Sequence, residues 1–212
     1  DEVLTVEGEI AATIARTLRR QLSGEQQQKL ARRTGDNPEA YRLYLKGRSF
    51  LVGNQQEMDK SIDCFRQAVA RAPDYAMAYA GLAEAYTTQA YLRAFDRTES
   101  VGKAQAAVTR ALELDPDLAE AHTALGLVRF YFEWDWEGAD AALRRALELN
   151  PGSQAANEEF GNFLITMGRL DEGFTRTSEA TRLDPLSVGP VHNLAILAMI
   201  RGDYDQAAAG FR

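Results

Sequence analysis

Four prolines recur in near-identical surroundings: Arg71-Ala72-Pro73-Asp74, Leu114-Asp115-Pro116-Asp117, Leu149-Asn150-Pro151-Gly152 and Leu183-Asp184-Pro185-Leu186. They stand 43, 35 and 34 residues apart. Each closes a segment with apolar residues at helical spacing, such as Ala111-Leu112-Glu113-Leu114. Proline cannot extend a helix from within, and it pushes the residue before it out of the α region. Each therefore ends one helix and starts the next. A unit of about 34 residues holding two helices cannot bury its apolar face alone, so neighbouring units must stack.

Composition agrees. The 212 residues include 34 alanines, which with few β-branched residues favours tightly packed helices over sheet. A hydrophobic fraction of 45% is enough for a sizeable core, and 16 glycines and six prolines are too few for a linker. The net charge of −7 weighs against a nucleic-acid backbone or an anionic membrane as partner. The longest apolar run, Leu194 to Ile200, is seven residues, far short of a membrane span. No signal peptide opens the chain, so a cytoplasmic location is expected. It starts at Asp1 without a Met and stops in mid-pattern at Arg212, and so reads as a piece of a longer protein.

Counted back from each proline, the same residue types return. The unit ending at Pro116 has Tyr79, Leu82, Ala83 and Tyr86, then Ala104, Val108 and Ala111. The unit ending at Pro151 has His122, Leu125 and Gly126, then Ala139, Leu143 and Ala146. The unit ending at Pro185 has Asn157, Phe160, Gly161 and Leu164, then Gly173, Thr177 and Ala180. Leu43, Gly47, Phe50, Ser61, Phe65 and Ala68 precede Pro73, while Val191, Leu194, Ala195, Ala207 and Phe211 follow Pro185. This pattern closely resembles the tetratricopeptide-repeat family. The resemblance implies an all-α, right-handed solenoid of antiparallel helix pairs.

The expected units are 37–73, 74–116, 117–151, 152–185 and a shortened 186–212, after an N-terminal helical segment, 1–36. The 43-residue spacing places an insertion at about 89–100. About two extra residues fall near Asn54, and about one within Glu133-Trp134-Asp135-Trp136. Gly47, Ala83, Gly126, Gly161 and Ala195 are the small residues that let the paired helix approach closely.

In the N-terminal segment, Val6, Ile10, Ile14 and Leu18 form an apolar stripe. Ser23 and Gln26 read as a capping box for a second helix to about Arg33. Together with Pro38-Glu-Ala-Tyr-Arg-Leu-Tyr-Leu-Lys-Gly-Arg, the segment resembles the junction in bacterial multidomain regulators. There a repeat array follows a cyclase, winged-helix or kinase module, often through a TolB-like domain.

No catalytic signature is present: no glycine-rich phosphate loop, two-histidine metal helix or nucleophile elbow. One cysteine and two histidines cannot make an internal disulfide or a standard zinc site. No cofactor and no metal is expected, and the chain does not read as an enzyme. His122 and Trp136 read as packing residues, Cys64 as a core filler, and Trp134 as freer to be exposed. Glu158-Glu159 and Asp171-Glu172 read as solvated helix faces. The Arg19-Arg20 and Arg32-Arg33 pairs fall at helix C-termini, where cations are favoured without nucleic acid.

The family resemblance implies a concave groove lined by the first helix of each unit, holding a peptide or a partner helix. By position its lining is Tyr41, Tyr44, Arg48 and Leu51; Met77, Ala80, Glu84 and Thr87; Glu120, Thr123, Leu127, Phe130 and Tyr131; Ala155, Glu158, Asn162 and Ile165; His192, Ile196 and Met199. Chaperone-binding relatives clamp a terminal carboxylate with Lys, Asn and Arg. Here those positions hold Tyr44 and Arg48, then Ala80 and Glu84, so the clamp is absent. A partly apolar or basic segment suits this lining better than an acidic tail. The expected role is therefore a protein-binding scaffold, the interaction arm of a larger bacterial regulator. Its rival is self-association through the apolar end of the fifth unit.

Overall fold

A computed structural model of the chain describes residues 37–51, 55–92 and 97–211. The expected helices and arginine pairs of the first 36 residues lie outside that range. Among the described residues there are ten α-helices and no strand. The helices are α1 (Pro38–Phe50), α2 (Gln55–Arg71), α3 (Ala76–Leu92), α4 (Thr98–Leu114), α5 (Ala119–Val128), α6 (Trp136–Leu149), α7 (Gln154–Thr166), α8 (Leu170–Leu183), α9 (Val188–Ile200) and α10 (Tyr204–Gly210).

The four proline motifs form the same turn. The amides of Tyr75, Leu118, Ser153 and Ser187 donate to the carbonyls of Ala72, Asp115, Asn150 and Asp184 at 3.1–3.3 Å. Proline sits second in each, where its fixed φ suits the turn and no amide is needed. Within pairs, α7 and α9 end at Gly168 (φ 74°) and Gly202 (φ 82°), a backbone region costly for residues with a Cβ. The two ends are alike. The amide after each glycine reaches back five residues, Arg169 to Leu164 (2.8 Å) and Asp203 to Ala198 (2.9 Å).

The α5–α6 connection departs from this. The extra residue expected within Glu133–Trp136 is taken up by a π-helical turn, Arg129–Glu133. Such a turn absorbs one residue without breaking the helix path. The chain then reverses at Trp134, the one described non-glycine residue with positive φ (57°). Asp135 caps α6 by accepting from the Gly138 amide at 2.9 Å. Part of the insertion between α3 and α4 is helical, since α3 runs on to Leu92. Gln89 ties it down, donating to Asp59 at 3.1 Å and accepting from Ser100 at 2.8 Å.

The small residues sit against large ones of the paired helix. A Cβ on Gly47 would lie 2.7 Å from the Phe65 ring, and one on Gly126 would lie 2.6 Å from Leu143 Cγ. Ala83 and Ala195 are buried. Ser61 adds a buried hydrogen bond to the Gly47 carbonyl at 2.9 Å, so its hydroxyl tightens the same contact. The core falls in two clusters, one from Ala40, Met58 and Phe65 to Val128 and one holding Leu143, Phe160 and Leu164.

Successive odd-numbered helices touch: α1 with α3, α3 with α5, α5 with α7 and α7 with α9. Among the described residues, successive even-numbered helices make no comparable contact. The odd helices are therefore the inner, more crowded layer of a curved stack. This explains why α3 buries residues around its whole circumference.

Candidate functional site

A cavity of about 280 Å³ opens on the inner layer, where α1, α3, α5 and the start of α7 meet. It gathers seven of the sequence-expected groove residues: Tyr44, Arg48, Glu84, Glu120, Thr123, Leu127 and Ala155. Ala124, Asn150, Ser153, Gln154 and Glu159 complete the wall. Tyr44 is held rigidly, packed on Phe65 and Tyr75 with ring centroids 5.8 and 5.7 Å away. The Thr123 hydroxyl is satisfied by its own helix, donating to the Ala119 carbonyl at 3.0 Å, so it presents its methyl side.

Electrostatics distinguishes the cavity. Among the described residues, Arg48 is the only Lys or Arg on its wall, and its Nη1 meets the Glu84 carboxylate at 2.5 Å. Glu84 in turn raises the Arg48 pKa and keeps it charged. Glu159 is different. Burial lifts its carboxyl to about 8, with Glu158 and Glu84 adding to the rise. The residue is half-buried. Glu158 is also raised by burial, but a 2.7 Å hydrogen bond from Gln154 pulls the other way. Glu158 and Glu159, expected on solvated helix faces, are half-buried. The start of α7 packs against α5 here, a contact between units that a single helix pattern does not reveal.

The remaining expected groove residues lie elsewhere. Met77, Thr87 and Ile165 are buried, and Leu51 is half-buried beside α1. Tyr41 packs on Tyr44 at 6.4 Å. The Phe130 and Tyr131 rings meet at a tilt, 4.6 Å apart on the π turn, and the Tyr131 hydroxyl accepts from Asn162 at 2.8 Å. Burial, with Glu159 nearby, raises the Tyr131 phenol above its ordinary value. Ile196 is half-buried; His192 and Met199 are exposed, and the His192 ring lies 5.3 Å from Phe211.

Among the non-groove candidates, His122 is half-buried with Nε2 2.8 Å from the Pro116 carbonyl. Cys64 is buried, and burial raises its thiol, as suits an inert filler. Asp171 and Glu172 are exposed and paired with Arg201 and Arg169. Trp136, which the sequence pattern marks for packing, is 39% exposed, with Trp134 (68% exposed) edge-on to it at 5.8 Å. It opens α6 just after the π turn.

Solved structures repeat this arrangement of helix pairs. TTC0263, a thermophilic TPR protein of Thermus thermophilus, superimposes with a TM-score of 0.62 at 23% identity, over 77% of this chain and 84% of that one. This chain has the tetratricopeptide-repeat fold. PilF of Pseudomonas aeruginosa superimposes with a TM-score of 0.57 at 18% identity, over 82% of this chain and 74% of that one. In sequence, the type IV pilus assembly protein PilF is 34% identical over 80 residues, 38% of this chain and 31% of PilF. The transcriptional regulator HilA of Salmonella typhimurium is 27% identical over 146 residues, 68% of this chain. The chain spans about a quarter of HilA's length (26%). No protein-family model matches the chain.

Proposed function

We propose that this tetratricopeptide array is a non-catalytic scaffold that holds a segment of a partner protein along the odd-numbered helices. In this reading it is the interaction arm of a longer bacterial regulator working in the cytoplasm. The cavity carries the proposal. It is concave, lies on the inner layer and mixes an aromatic wall (Tyr44), an apolar floor (Leu127, Ala124) and fixed charges. Peptide recognition uses that mixture, apolar contacts for affinity and a few placed polar groups for register. The likeness to HilA, a transcriptional regulator, supports the regulatory setting.

Selection of peptides from a random library against the chain, followed by amide chemical-shift mapping, tests this reading. Binders are expected to shift resonances of α1, α3, α5 and α7. Shifts confined to the even-numbered helices, or no selectable peptide, would overturn it.

A second reading, self-association, rests on a different surface. Val188, Met199, Ile200, Tyr204 and Phe211 are 47–78% exposed across α9 and α10. Large apolar side chains left in water can mark a contact surface where they adjoin. Sedimentation at two concentrations separates the readings. A mass that does not change with concentration would remove this one.

A further inference from the structure

We infer that a second cavity, between the first turns of α4 and the π turn, docks an extended proline-rich segment of a partner protein on an aromatic wall. It shares no lining residue with the inner-layer cavity, so it stands whether or not the groove reading holds.

The cavity measures about 360 Å³, with Val101, Gly102 and Gln105 of α4 on one wall and Tyr131, Phe132 and Trp134 on the other. Three features of these walls go against local preference. Gly102 is the first. It is exposed and lies inside α4, where glycine weakens a helix relative to alanine. A Cβ there would meet nothing within 4 Å, whereas Phe65 and Leu143 require the glycines at Gly47 and Gly126. Packing within the chain therefore does not ask for Gly102, and its bare backbone keeps the cavity open. The second is Trp134, whose φ of 57° is unfavourable for a bulky side chain and which leaves its indole exposed. The third is the π turn, Arg129–Glu133, which carries Tyr131 and Phe132 into the wall. Tyr91, also exposed, extends the aromatic surface with its ring 5.3 Å from that of Tyr131. Departures that gain nothing within the chain are expected where the chain meets something else.

The hydrogen-bonding chemistry of the wall selects the occupant. The Trp134 indole and the Arg97 guanidinium, both on the cavity, donate and cannot accept. A helix uses its carbonyls internally and brings them no acceptor. Strand addition needs an open sheet edge, and the described residues hold no strand. A polyproline II segment leaves every carbonyl free, and its prolines carry no N–H that would need an acceptor here. Its rings lie on exposed aromatic faces, and its conformation is set before binding, so little entropy is lost. The Arg97 charge turns away the basic segments that aromatic faces otherwise attract.

Trp134 and its edge-on neighbour Trp136 are the chain's only tryptophans, so indole emission reports on this surface. The test uses the 212-residue chain with three probes: acetyl-hexaproline-amide, a hexapeptide of alternating glycine and serine, and maltohexaose, since sugars also stack on exposed rings. Hexaproline at millimolar concentration is expected to shift the emission to the blue, while the other two leave it in place. Calorimetric titration then compares variants. Trp134→Ala is expected to weaken hexaproline about tenfold, the loss typical of an aromatic at the centre of a contact. Gly102→Leu is expected to weaken it as much while melting no lower than the parent, because the new side chain has open space and favours the helix. Phe174→Ala, which removes an exposed aromatic on α8, leaves the affinity unchanged. No emission change with hexaproline, an equal change with either other probe, or a Trp134 or Gly102 variant binding as tightly as the parent would overturn the inference. The probe comparison needs no mutation and so stands even if a variant folds poorly.

Discussion

The Arg48 guanidinium of α1 meets the Glu84 carboxylate of α3 at 2.5 Å across the inner layer, 36 residues apart in sequence. That pair neutralises the only cation on the described cavity wall and leaves Glu159 without one. Arg48→Met should therefore leave Glu84 without that partner, with the effect read from thermal unfolding. The cost in stability should stay below about 1 kcal/mol, because both side chains are a third or more exposed and solvent screens the pair.

Glu159 also gives stability a pH signature. Its folded carboxyl lies at about 8, above the ordinary value of 4.5. The folded state thus holds a proton that the unfolded chain releases earlier. This contribution to stability is complete below pH 4.5 and is lost as pH rises through 8. Glu159→Gln should match the parent's melting temperature near pH 4.5 and exceed it at pH 8.5. Parallel melting curves at both pH values would show that the carboxyl is not desolvated.

Gly126→Leu should strain the α5–α6 contact, where a Cβ already falls 2.6 Å from Leu143. Overpacking of this kind costs about 1–3 kcal/mol. Ala83→Leu, at the same position of α3, should behave alike. Coupling runs mainly between neighbours, so hydrogen exchange should accelerate first in α5 and α6 and next in α4 and α7. Unchanged exchange in those helices would mean that the contact can yield.

Ile200→Glu tests the second reading of function. The side chain is 51% exposed on α9, beside Met199 at 48%. A charge there should abolish concentration-dependent association while shifting the melting temperature little, since surface substitutions usually stay within about 0.5 kcal/mol. Persistence of the associated species in the variant would place any self-contact elsewhere.

Much of the fold is local and therefore legible in the residues. Pro73, Pro116, Pro151 and Pro185 mark four turns because a proline's φ and missing amide act on its immediate neighbours. Gly126 identifies a helix contact because only a small residue suits a place where Leu143 comes so close. Gly168 and Gly202 close their helices for a similar reason, a backbone geometry that a Cβ resists.

The electrostatics of the cavity is not legible in this way. Glu84, Glu120 and Glu159 belong to three different helices, and each alone reads as an ordinary carboxylate on a helix. Nor does spacing reveal that the extra residue before α6 becomes a π turn, or that Trp134 takes a positive φ. The order of helices, their pairing and their close contacts follow from sequence because they depend on neighbours within about 34 residues. The curvature of the stack decides the rest. It sets which carboxylate loses its water and which keeps a partner, because desolvation depends on distances between units that no single unit encodes.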